Sequence, residues 1–172
     1  MKKLFLFLML PLLLVGCGDQ PTVETVNDVQ VQPVAATMHQ MLVELPKEAA
    51  VPTMETESGK LYICEDFTVS QQILDGGDLA KTIQSVSGFD RDDLRIMQTN
   101  WENAKRYDFV WTAAGESETQ VCRACILDDG NYHYVLAATA NASDGGQVQN
   151  VWREMFDSFR LVSPQMPLGT GS

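Results

Sequence analysis

The chain has 172 residues, a formal net charge of −11 and 45% hydrophobic residues. An acidic chain with no Lys/Arg cluster is set against nucleic acid and against an anionic lipid surface by its own charge. Its only histidines, His39 and His133, are too few and too scattered for a zinc site. No Gly-x-Ser-x-Gly, phosphate loop or His-Glu-x-x-His is present, so no catalytic residue and no cofactor is expected.

Lys2 and Lys3 precede Leu4–Val15, an apolar run broken only by Pro11. As a helix this run spans about 18 Å, against about 30 Å of membrane hydrocarbon, so it reads as a secretory leader rather than a membrane span. It ends in Leu14-Val15-Gly16-Cys17, which resembles the lipobox of bacterial lipoproteins. That resemblance implies removal of residues 1–16 and a diacylglyceryl group on Cys17. It also implies a lipid anchor in the cell membrane or outer membrane, with the protein facing the extracytoplasmic side. Two acyl chains suffice for stable anchoring, where one is marginal.

Residues 17–37, with Pro21, Pro33 and no lasting helical or strand period, read as a tether that reaches roughly 65 Å when extended. Residues 163–172, with Pro164, Pro167, Gly169 and Gly171, read as a disordered tail. Between them, residues 38–162 form one domain, long enough for a real core.

Met38–Leu45 is apolar-rich up to Pro46 and reads as a first strand, or a short helix. Pro46–Ser58 reads as a loop. Lys60–Cys64 and Phe67–Leu74 alternate as strands on either side of Glu65-Asp66. Asp78 is placed to cap a helix over Leu79–Ser87, in which Leu79, Ile83 and Val86 share a face and which Gly88 ends. Leu94–Trp101 and Arg106–Ala114 form a hairpin around Glu102-Asn103-Ala104-Lys105. Thr119–Leu127 and Tyr132–Ala140 form another around Asp128-Asp129-Gly130-Asn131, residues that tolerate turn conformations. After Ser143-Asp144-Gly145-Gly146, the residues Val148, Val151, Trp152, Met155, Phe156 and Phe159 recur at the spacing of one apolar helix face. The expected class is α+β: an antiparallel meander of about six to seven strands covered by two amphipathic helices.

The element order, the small-residue strand Tyr134–Ala140, the Gly-rich loop after it and the helix ending Phe156-Asp157-Ser158-Phe159-Arg160 resemble the PsbP-like fold, which includes the DcrB-like lipoproteins. The resemblance covers roughly Met38–Val162. It implies a non-enzymatic module that binds or chaperones other proteins, and it carries over no functional residue.

Cys122-Arg123-Ala124-Cys125 falls inside a strand, where positions i and i+3 point to opposite faces, not at the helix N-terminus that a redox motif uses. In an extracytoplasmic domain a structural disulfide is plausible. Cys64 can pair with Cys122 or Cys125. Cys64–Cys122 is the expected bridge, with three buried free thiols as the alternative. Trp101 is either a core residue or an exposed contact. Together these readings describe a membrane-anchored accessory module with an envelope protein or ligand as partner. The alternative is an envelope hydrolase or cation-binding protein whose site is built from scattered carboxylates. Cells fed radiolabelled palmitate should label the wild-type chain and leave Cys17→Ala unlabelled; equal labelling of both would contradict the anchor.

Overall fold

The computed structural model describes residues 37–163. The leader, Cys17, nearly all of the tether and the tail beyond Ser163 lie outside the described residues. The chain builds β1 (Gln40–Leu42), β2 (Met54–Thr56), β3 (Gly59–Ile63), β4 (Phe67–Asp75), α1 (Leu79–Ser87), β5 (Ile96–Trp101), β6 (Ala104–Ala114), β7 (Thr119–Asp128), β8 (Tyr132–Asn141), α2 (Gly145–Ser158) and β9 (Arg160–Val162). Seven strands form one sheet in the order β2-β3-β4-β8-β7-β6-β5, and every neighbouring pair is antiparallel. β1 and β9 pair separately, with Met41 opposite Leu161. The class is α+β, as expected.

The meander is broken once. β4 leads through α1 to β5 at the far edge, and the chain then winds back until β8 pairs with β4 along its whole length, from Phe67↔Ala140 to Asp75↔Tyr132. Adjacency of β4 and β8 is a long-range pairing that hairpin signals do not contain.

Alternation along the strands divides the side chains between two layers. On one face Val69, Cys125, Leu127, Tyr134, Leu136, Ala138 and Ala140 meet Val148, Trp152, Met155, Phe156 and Phe159 of the α2 segment in one buried cluster. Ala138 and Ala140 carry no bulk, which suits close approach of a helix. On the other face Ile83 of α1 joins Tyr107, Phe109, Ala124, Ile126 and Val135. β7 and β8 are therefore covered on both sides, which is why their sequences read as nearly unbroken apolar runs.

The local signals for α1 hold in detail. The Asp78 carboxylate accepts the N–H of Ala80 at 3.0 Å and of Lys81 at 3.4 Å. Gly88, at φ 78° in the left-handed region, donates its N–H to the Gln84 carbonyl at 2.8 Å. Other bounds move. β2 lies inside the expected loop, and β9 follows α2 where no strand was expected. Each is three residues long, too short for alternation to register. β1 is likewise confined to Gln40–Leu42. The β5–β6 turn is only Glu102-Asn103, because Trp101 already pairs with Ala104; Glu102 takes φ 51° to make it.

The expected Cys64–Cys122 bridge is not formed: Cys64, Cys122 and Cys125 are all free thiols. Cys64 follows β3 and packs on the α2 side, whereas Cys122 on β7 is opposite Trp111 and Thr139 on the α1 side. Three strand spacings, about 14 Å, and the sheet itself separate the two, while a disulfide needs Cα atoms within about 7 Å.

One polar cluster is built into the α2 side. Arg106 and Asp108 are two apart on β6 and so share a face. The Arg106 Nε–H donates to Asp108 Oδ2 at 2.6 Å and Nη2–H to Oδ1 at 3.1 Å. Nη2 also donates to the Phe156 carbonyl at 2.9 Å, one of the last-turn carbonyls of α2 that has no helical partner. Arg123 approaches the same carboxylate at 3.8 Å and lies 4.3 Å over the Phe156 ring. Arg106 is only 6% exposed, so its charge depends on this pairing. Arg106→Ala should lower unfolding free energy by about 3 kcal/mol in denaturant titrations. A loss under about 0.5 kcal/mol, the size of an exposed pair, would contradict a buried clamp.

Candidate functional site

The α2 layer does not cover its whole face of the sheet. Beyond it, on the β5–β6–β7 side, runs an open groove of about 1260 Å³. Its floor includes Met97, Val110, Val121 and Arg123, and its wall is Gly145, Gly146, Gln149 and Trp152 of α2. Met97 is 62% exposed and Val110 64%, two large apolar side chains presented to water on one face, at diagonal positions of β5 and β6. Isolated exposed apolar residues are ordinary, but a contiguous strip along a groove is a mark of an interaction surface. Trp152 is buried, and its indole N–H has no acceptor among the described residues.

The groove holds little with which to do chemistry. Its one carboxylate, Asp108, is committed to Arg106 and Arg123. Its one thiol, Cys122, is buried, its pKa is pushed up by burial, and its sulfur accepts from the Thr139 hydroxyl at 3.6 Å. Burial pushes the Cys125 thiol up further still, and the Cys64 thiol is raised as well, so none of the three is held as a nucleophilic thiolate. Cys122 and Cys125 face opposite sides of β7, as alternation requires.

The structure brings together two groups that spacing along the chain concealed. His133, 1% exposed on β8, has Nδ1 at 2.7 Å from the Thr82 hydroxyl of α1 and Nε2 at 3.9 Å from Asp128. By residue type this is a hydroxyl–imidazole–carboxylate row. Thr82 and His133 are both buried between helix and sheet, so no substrate reaches the hydroxyl, and the row ties α1 to β8. The second group lies at the entry to the domain. The His39 backbone N–H donates to the Tyr134 hydroxyl at 2.8 Å, and that hydroxyl donates to Asp129 Oδ2 at 3.0 Å. Burial raises the Tyr134 pKa to about 12, so the phenol stays a donor at neutral pH. His39 Nε2 lies 3.7 Å from the same carboxylate. Residues 51 and 95 positions apart make these contacts, and no local pattern marks them.

Trp101 ends β5 at 36% exposure with the Arg106 guanidinium 5.3 Å from its ring, so it sits at the rim rather than in the core. The acidic stretch Asp90–Asp93 forms a single 3-10 turn over Arg91–Asp93. No group of three or more His, Cys, Asp or Glu side chains converges among the described residues. No helix among them is long and apolar enough to cross a membrane.

No protein-family model matches this chain, and no curated protein does. Solved structures do. LpqN of Mycobacterium tuberculosis, described as involved in cell envelope biogenesis, superposes with a TM-score of 0.52 at 9% identity, over 78% of this chain and 88% of its own. A Bacteroides thetaiotaomicron protein gives 0.50 at 12% identity, over 73% of this chain and 46% of its own. The cyanobacterial PsbP of Synechocystis reaches 0.49 at 12% identity, over 76% of this chain and 96% of its own. At such identities the first two likenesses speak to the fold alone, and the third adds nothing further.

Proposed function

We propose that this protein is a lipid-anchored, extracytoplasmic accessory module that holds an envelope partner in the groove between α2 and β5–β7 and catalyses nothing. Residues 1–16 are the leader, Cys17 carries the lipid, 17–37 tether the domain 38–162, and 163–172 trail from it. The lipobox resemblance at Leu14–Cys17 supports the anchor. The observation that carries the binding role is the exposed apolar strip of Met97 and Val110 on the floor of an open groove. A partner that buries both side chains gains about 25 cal/mol per Å² of apolar surface covered. The groove is apolar over most of its lining and offers Arg123 as a polar handle. A segment with apolar side chains flanked by carbonyl or carboxylate oxygens matches it. LpqN, whose fold this chain shares, is described as involved in envelope biogenesis, which agrees with an envelope setting.

The test places a photocrosslinking amino acid at Val110 in the full chain in intact cells, with Val51, 78% exposed but outside the groove, as the control position. Irradiation should give a discrete higher-mass adduct from Val110 and none from Val51. No adduct at Val110, or the same adducts from both positions, would overturn the groove as the binding surface.

A further inference from the structure

The sheet has two edges, and they are treated differently. β2 closes one edge with three residues and a charged pair, Glu55 with Lys60 at 2.8 Å. Short length and charge are the ordinary ways of blunting an edge strand. β5 closes the other edge with six residues, Ile-Met-Gln-Thr-Asn-Trp, all but Ile96 exposed. It contains no Lys, no acid, no Pro and no Gly, in a chain of net charge −11. Such an edge is open to strand addition.

What flanks β5 points to the strand that would add to it. Arg95 stands immediately before it and Glu102 immediately after. Both are exposed, and neither makes an ion pair among the described residues. A neutral strand with a cation at one end and an anion at the other is complementary to itself when the second strand runs antiparallel. A parallel copy would set Arg95 against Arg95.

We propose that β5 pairs with β5 of a second copy of this chain, antiparallel, about a two-fold axis perpendicular to the sheet through Thr99. In this register Met97 faces Trp101 of the second copy, and Trp101 faces its Met97. These side chains share the α2 face by alternation, and both are exposed in the single chain. A thioether against an indole is a favourable cross-strand pair. Arg95 of each copy stands opposite Asn103 of the other, one residue from Glu102, so the opposite charges meet at the strand ends as neighbours rather than as a directly opposed pair. The axis keeps the two α2 layers on one side, so the two grooves open in the same direction. The pairing shares Met97 with the groove floor but rests on the backbone edge of β5 and not on what the groove holds. A single added strand buries less than a stable dimer interface does, so the contact belongs to the weak, transient class and calls for trapping in the cell.

The experiment uses the full chain with Thr99→Cys and Cys64→Ser, expressed in intact cells and oxidised with copper phenanthroline. Thr56→Cys in the same background reports on the β2 edge. The expected result is a reducible species of twice the chain mass from Thr99→Cys and not from Thr56→Cys. Adding Arg95→Glu should cut its yield several-fold, and adding Glu102→Arg to that variant should restore it. Thr99, Thr56, Arg95 and Glu102 are exposed and Cys64 is half-buried, and a thermal melt of each purified variant confirms that it folds. The proposal is overturned by no dimer, by equal yield from the two edges, or by a yield indifferent to Arg95→Glu.

Discussion

The docking of α2 on the sheet is the contact from which the rest of the architecture follows. Val148, Trp152, Met155, Phe156 and Phe159 bury one stripe against β4, β8 and β7, and Ala49 of the 3-10 turn Lys47–Ala49 joins the same cluster. Arg106 fixes the C-terminal end of the helix by taking up the Phe156 carbonyl, and Asp108 neutralises the arginine. The helix lies over β8 and β7 with one flank toward β6, so β5 and the outer part of β6 are left bare on the same face. The groove is thus a consequence of where α2 lies: one wall is the helix, and the floor is the sheet that it leaves uncovered.

Much of this was readable in the chain. Asp78 and Gly88 bracket α1 because capping chemistry is local. The stripe from Val148 to Phe159 shows α2 because a helix buried on one side has a 3.6-residue period. What stayed hidden is non-local or very short. β2 and β9 have three residues each and owe their existence to the strands they pair with. The pairing of β4 with β8 joins residues that are about as far apart as Phe67 and Ala140. The Arg106 clamp spans 50 positions and the His133–Thr82 contact 51, so each looks like an unremarkable polar residue in a strand until the sheet is assembled.

The cysteines show how topology overrules compartment. The secretory leader read from the sequence makes Cys64 with Cys122 the expected pair, since an oxidising compartment favours disulfides. Alternation sends Cys122 to the α1 side, strand order keeps Cys64 several strands away, and burial leaves the thiols weakly acidic. A domain of this length buries enough apolar surface to stand without a covalent staple. The same geometry bears on function. The hydroxyl of Thr82 and the imidazole of His133 are buried between α1 and the sheet, whereas the accessible groove is apolar and its carboxylate is already paired. The buried hydroxyl and imidazole and the paired carboxylate serve the fold, and the proposed recognition rests on the exposed apolar groups.

Native-state hydrogen exchange on the full chain tests the docking of α2 most directly. Amides in the middle of α2, around Trp152 and Met155, should exchange only by the same global opening that exposes β8 from Tyr134 to Ala138, with matching free energies and matching denaturant dependence. Exchange of the α2 amides by a separate, cheaper opening, while β8 stays protected, would mean that the helix is not what holds this sheet together and that the groove has no fixed wall.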